Sequence, residues 1–341
     1  MSMYSDFFFR SNMSATGNIP APTPLYVCPD IICVQNSPIQ NFTTVLKDNY
    51  ASNAYTNSIQ VGIPNYIYAR GKNLSSQTVN RQISLYYAPN AIISWPSQWV
   101  NNVLTTDNHQ KIALVTNVAP GGVSVATDTF MWTPAPLPSG SNHYCVFSYA
   151  TDPTNPQPIP GADGMTVVDM AALVSTNLNI GWRNVAIVPN NPPTLTQDHD
   201  LSLPEYTQHP EKVAITLTCA KLVGATVAFP GSNYAGADKP NRLDPITITQ
   251  DGQIVGQSVT LQPGFHCVLT VELWSNNVTF PPGATLTLGT SFDGVSGNYA
   301  RQREVEARNL INHDYIRRFK ANSTLDLSMP IPLGAFSHIY V

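Results

Sequence analysis

The chain has 341 residues, with 17 Lys and Arg against 21 Asp and Glu and a formal net charge of −4. Charged residues make up 11%, where ordinary soluble domains carry roughly 25%. This excludes a molecule-wide attraction to nucleic acid or anionic membrane, and it excludes charge-driven disorder. Asn, Thr, Ser and Pro fill the difference, a composition of short strands and many turns, and the length suits about two domains.

Met1–Arg10 contains an aromatic run but no basic stretch ahead of a long apolar one, so no cleaved signal is read there. Synthesis in the cytosol is expected, with any export by a route that needs no signal. No window approaches the roughly 18 apolar residues of a membrane-spanning helix. Residues 1–55, with Pro20, Pro22, Pro24, Pro29 and Pro38, read as an extended arm carrying one short edge strand near Ile31–Val34.

A first sandwich is expected over 56–190. Its strands are predicted at Ile59–Gly62, Asn65–Arg70, Gln82–Tyr87, Lys111–Thr116, Thr129–Trp132, His143–Ala150 and Trp182–Val188, short branched and aromatic runs between turn clusters. Asn90–Leu104 is too long for a tight hairpin and holds Trp95 and Trp99. Met165–Val174 does not alternate and contains Ala171 and Ala172, which favours a helix. The prolines of Pro189–Thr194 mark a linker, since adjacent prolines do not sit inside a sheet.

A second sandwich is expected over 191–296. Val213–Cys219 and Phe265–Leu273 alternate with their odd-numbered residues apolar, as half-buried strands do. Further strands are predicted at Pro245–Thr249, Gln257–Leu261 and Ala284–Leu288. Residues 297–341 read as a C-terminal arm that starts helical. Leu325–Phe336 within it is apolar enough to require burial.

Five cysteines, Cys28, Cys33, Cys145, Cys219 and Cys267, are too few for a disulfide scaffold. Cys219 and Cys267 fall on core-facing positions and suit either a bridge or two buried thiols; Cys28 and Cys33 could pair locally. Asp198, His199, Asp200, Glu205 and His209 form the densest set of potential metal ligands, but their spacing fits no ligand frame, and a solvated junction after the linker is the simpler reading. His143 and His266 lie at strand starts without a nucleophile motif nearby. Trp95, Trp99, Tyr86 and Tyr87 could form an exposed aromatic surface for a glycan or protein partner. Arg301, Arg303, Arg308, Arg317 and Arg318 could meet an anionic partner, although Glu304, Glu306 and Asp314 interrupt the run.

The run Tyr68–Asn73 before Leu85–Tyr87, followed by Phe130–Pro134 and His143–Cys145, resembles bacterial immunoglobulin-like modules of the CARDB type. The resemblance covers about a third of the chain and implies a bacterial binding or spacing module without a shared active site. The expectation is therefore an all-β chain of two tandem immunoglobulin-like β-sandwiches with extended N-terminal and C-terminal arms. It is expected to be a non-enzymatic interaction or structural protein that meets a protein partner or itself, with no cofactor, no metal, no nucleic acid and no membrane span. A viral or virus-like coat subunit is the alternative, and a sugar-binding or toxin-like exported protein a further one.

Overall fold

Two compact units share the chain: Met1–Pro89, Trp95–Gly164 and Leu173–Asn184 in one, Asn90–Ser94, Met165–Ala172 and Val185–Val341 in the other. The computed structural model describes all residues except Met1, Asn53, Thr56, Asn90, Pro138–Asn142, Pro189, Glu205, Gln208, Ser232–Tyr234 and Ser296, and the Val185 side chain. The fold is all-β, built from packed, mostly antiparallel sheets.

In the first unit the elements are β1 (Ser2–Met3), β2 (Phe7–Phe8), β3 (Asn18–Ile19), β4 (Ile31–Gln35), α1 (Phe42–Asp48), β5 (Asn65–Asn73), β6 (Val79–Pro89), α2 (Pro96–Trp99), β7 (Thr105–Thr106), β8 (Ala113–Val118), β9 (Val123–Val125), β10 (Phe130–Trp132), β11 (Tyr144–Thr151) and β12 (Ile180–Arg183). Helix α3 (Val167–Thr176) is divided between the units. Strand β5 organises one sheet, pairing with β2, β4, β9 and β10, while β7 extends it from β10. The other sheet runs β12-β11-β6-β8. Period-2 alternation turns Ile83, Leu85, Val146 and Ala150 into a shared core with Ile67, Ala69 and Phe130,. Every residue of β11 is buried, so the sheet is covered on both faces at this strand.

Residues 1–55 are more than an arm. Phe7, Phe8 and Phe9 are buried, β2 and β4 both pair with β5, and α1 follows. The predicted strand at Ile59–Gly62 is a loop. The buried Asn65 side chain accepts from Gln60 N–H and donates to the carbonyls of Gln60 and Ile63. Those backbone groups are thereby satisfied by a side chain instead of a ladder.

The second unit contains β13 (Val185–Val188), β14 (Thr194–Ser202), β15 (Glu211–Ala220), β16 (Thr226–Phe229), β17 (Leu243–Thr247), β18 (Gln253–Leu261), β19 (His266–Trp274), β20 (Thr285–Asp293), α4 (Tyr299–Ala307), α5 (His313–Asn322) and β21 (Pro330–Tyr340). A five-stranded sheet runs β13-β21-β20-β15-β18, with β13 and β21 parallel, and a four-stranded sheet runs β14-β19-β16-β17. They face one another through side chains such as His199 from β14 and Phe336 from β21, whose rings lie 4.4 Å apart.

The predicted strand Trp182–Val188 breaks at Asn184 into β12 and β13, which belong to different units. The change of unit thus falls at Asn184–Val185, ahead of the proline run, and Thr194 already lies in β14. The C-terminal stretch read as an arm ends as an internal strand. Residues 330–340 of β21 pair with both β13 and β20, which buries the apolar tail inside the sheet.

Candidate functional site

Trp95 and Trp99, expected as an exposed aromatic surface, are buried. Segment 102–104 runs along β6 through Tyr87 N–H to Asn102 O and Leu104 N–H to Leu85 O. That path lays α2 over the sheet, where Trp99 stacks on Phe147 at 4.5 Å and meets Trp182 and Tyr86 at 5.8 and 5.4 Å. Successive strand residues point to opposite faces, so Tyr87 stacks instead on Trp132 at 4.4 Å. Tyr86 and Trp99 share one packing contact, Tyr87 belongs to another, and Trp95 is buried, so they do not form one platform.

Three members of the Asp198–His209 set lie in a strand and not in a solvated junction. Asp198, His199 and Asp200 belong to β14, where His199 is fully buried. Asp198 and Asp200 turn the other way: Asp198 accepts from Thr270 Oγ1 at 2.6 Å, and Asp200 lies 3.6 Å from His266. Burial pushes the Asp200 carboxyl up, opposed by His266. His209 is exposed, and Glu205 lies outside the described residues. Among the described residues no group of three or more His, Cys, Asp or Glu could hold a metal. His143 is buried and His266 exposed. All five cysteines are buried, and none is joined in a disulfide.

The sequence did not signal a buried polar network in the first unit. Asp30, inaccessible to solvent, accepts from Arg10 N–H at 2.8 Å, pairs with the Arg10 guanidinium and receives Arg70 Nε at 3.3 Å. Arg70 also donates to the carbonyls of Leu46, Asn49, Pro29 and Ser52. Arg10 lies 3.6 Å over the Tyr50 ring, a cation–π contact. This network fastens the segment around α1 to β5. Its trace in the sequence is Arg70 directly after the apolar run Tyr66–Ala69 of β5.

Helices α4 and α5, inserted between β20 and β21, carry exposed basic side chains. Asn298 caps α4 by accepting from Ala300 N–H, and Asn312 caps α5 by accepting from Tyr315 N–H,. Phe319 and Tyr315 turn onto the outer face of the five-stranded sheet against Ala214 and Ile254, and Tyr315 OH meets Ser291 at 2.7 Å. Two of the five predicted arginines are held by ion pairs to distant parts of the chain. Arg301 makes a two-pronged pair with buried Glu211, and Arg308 pairs with Asp169 and Glu304. Arg303, Arg317, Arg318 and Lys320 are exposed, and Arg303 lies 5.0 Å over the ring of Tyr299, itself 69% exposed. Arg317 and Arg318 both lean on Asp314.

No family model matches the chain, and no curated protein matches it. Similar solved structures include red sea bream transglutaminase (12% identity over 70% of this chain, TM-score 0.20), of which the chain spans only 28%. The fimbrial adhesin FimA of Actinomyces matches at 12% identity over 69% of this chain and 84% of that one, with a TM-score of 0.16. The CupB6 tip adhesin of Pseudomonas aeruginosa matches at 9% identity over 91% and 98%, with a TM-score of 0.19. Likenesses this weak transfer neither activity nor partner.

Proposed function

We propose that the protein is a non-enzymatic interaction or structural protein that engages an acidic protein surface through the outer face of α4 and α5. The observation that carries this reading is the exposed grouping of Tyr299, Arg303, Arg317, Arg318 and Lys320 on two capped helices anchored by Phe319 and Arg301. Tyr and Arg are the residue types that carry most energy at protein interfaces. Here they sit on short, regular elements, so little ordering entropy opposes docking. The buried charges of the first unit bind backbone carbonyls and one another, and they hold the fold. The CARDB-type resemblance, with its binding or spacing role, agrees with this reading.

The test measures retention of the full chain on immobilised poly-glutamate, used as a stand-in for an acidic protein surface. The wild type is expected to bind and to release with salt, and a folded R303E/R317E/R318E/K320E variant to lose at least tenfold in affinity. Equal retention of wild type and variant overturns the reading.

A further inference from the structure

The second unit carries opposite charge on its two outer faces. On one side, α4 and α5 expose Arg303, Arg317, Arg318 and Lys320 beside Glu304, Glu306 and Asp314, with Arg301 and Arg308 already paired inside the unit, and α5 covers the outer face of the five-stranded sheet through Phe319. On the other side lies the outer face of the four-stranded sheet. Its core-facing residues in β14 and β19 are His199, Leu201, Cys267, Leu269, Val271 and Leu273, all buried. The intervening residues face outward: Asp198, Asp200 and Glu272, with Thr196 opposite Glu272 and Thr270 opposite Asp198 in the ladder. Neither β14 nor β19 contains a Lys or Arg, and the basic side chain they do present on this face is the His266 imidazole, 3.6 Å from Asp200. Asp198 and Asp200 share one side of one strand, and Asp198 adds to the forces holding the Asp200 carboxyl up. A cation brought to this face would relieve that repulsion.

We propose that the partner of the cationic helical face is a second copy of this chain, docked through the acidic outer face of its β14 and β19. This rests on the preceding reading and specifies its partner. The two complementary surfaces lie on opposite sides of one sandwich, so the contact is head-to-tail. Such heterologous contacts do not close as a two-fold dimer; they build rings or open chains. Arg317, Arg318 and Lys320 meet Asp198, Asp200 and Glu272, while Tyr299 and Arg303 supply the aromatic and stacking area at the rim. The contact is strongest at low ionic strength, because exposed charges are screened over about 10 Å at 0.1 M salt.

The experiment is sedimentation velocity of the full chain at low and high salt. It uses the wild type, the cationic-face variant R303E/R317E/R318E/K320E and the acidic-face variant D198K/D200K/E272K. The wild type is expected to form concentration-dependent oligomers at low salt that dissociate at high salt. Each variant alone is expected to be monomeric, and an equimolar mixture of the two to associate again. Carbodiimide cross-linking of the wild type supplies a second readout that needs no substitution: intermolecular links between Lys320 and the acids of β14 or β19. A wild type that stays monomeric at low salt, or oligomers indifferent to both reversals, overturns the proposal. If such a monomer still binds poly-glutamate through Arg317 and Arg318, the interaction reading stands and only the identity of the partner fails.

Discussion

The imidazoles of His199 and His338 lie 5.6 Å apart at 70° to one another, one from each sheet of the second unit. Both are buried, and Phe336 packs against each ring. Neither ring nitrogen of His338 has a hydrogen-bond partner among the described residues. Burial alone lowers its pKa from 6.5 to about 3. The neighbouring side chains on its face are His199, Tyr340 and Leu286, while Asp198 and Asp200 turn outward on β14.

That arrangement makes the second unit acid-labile. A histidine whose folded pKa is depressed binds its proton more readily in the unfolded chain. Stability is therefore full above pH 6.5 and falls as pH drops toward 3, by up to about 1.4 kcal/mol per pH unit. Urea midpoints followed between pH 7.5 and 4 should decline, and His338→Phe should flatten that part of the decline. A wild-type midpoint that does not move below pH 6 contradicts the burial of a neutral imidazole.

Arg70 should be the most sensitive charged position in the first unit. Arg70→Met removes a partner of Asp30 and leaves four carbonyls without their donor. Breaking a buried pair from one side costs roughly 3–5 kcal/mol, so chemical denaturation of the variant should show a loss of that size. Early exchange of amides in residues 42–52 should accompany it. A loss under about 1 kcal/mol would mean that water reaches the site and substitutes for the guanidinium.

Trp99→Ala should destabilise the first unit by roughly 3–5 kcal/mol, the range for large aromatic truncations in cores. It should also raise the exposure of Tyr86 and Phe147, which Trp99 contacts. Near-ultraviolet circular dichroism would register both the lost stack and the lowered melting point. Preserved stability would place Trp99 on the surface, where a ligand could meet it.

The all-β class and most strands were legible because alternation and branched residues report half-burial directly, as in Val213–Cys219 and Phe265–Leu273. Three features were not. The backbone groups of Gln60 are bound by the Asn65 side chain, a local competition that periodicity cannot register. Trp99 lies on a non-strand insert whose landing place depends on long-range pairing with Tyr87 and Leu85. In β14 the run Asp198–Asp200 reads as polar because its one inward residue is a histidine, so a half-buried strand looked like a junction. The cationic run of the tail was visible in the sequence. Which of its arginines are held in ion pairs within the unit depended on Glu211 and Asp169, remote in the chain.

The thiols should be nearly inert in the native state. Burial pushes Cys28, Cys33 and Cys219 up to about 12 and Cys267 up to about 11, and the thiolate is the reactive form. At pH 8 reaction with a thiol-specific disulfide reagent should be slowed on the order of a thousandfold for Cys28, Cys33 and Cys219, and on the order of a hundredfold for Cys267, relative to the denatured chain. All five should titrate once urea is added. Rapid labelling of any of these four in the native protein would contradict their enclosure.

Gly334 should tolerate no side chain. Its position in β21 brings the backbone against Ile92 and Ile93, where an added Cβ would meet the Ile92 carbonyl oxygen and sit 2.9 Å from Ile93 Cα. Both obstacles are backbone, so neither can rotate away. Ile92 N–H is in turn held by the Asp200 carbonyl at 2.8 Å, which leaves the segment little freedom to retreat. Gly334→Ala should therefore cost about 1–3 kcal/mol, the usual penalty of overpacking, with faster amide exchange in 330–340. Gly289→Ala is the matched control on the neighbouring strand. There the closest atom to the new Cβ is Thr216 Oγ1 at 3.4 Å, an ordinary contact with a side chain, and stability should change by less than about 1 kcal/mol. If both substitutions proved equally harmless, β21 would not run against Ile92, and the internal position of the C-terminal strand would have to be abandoned.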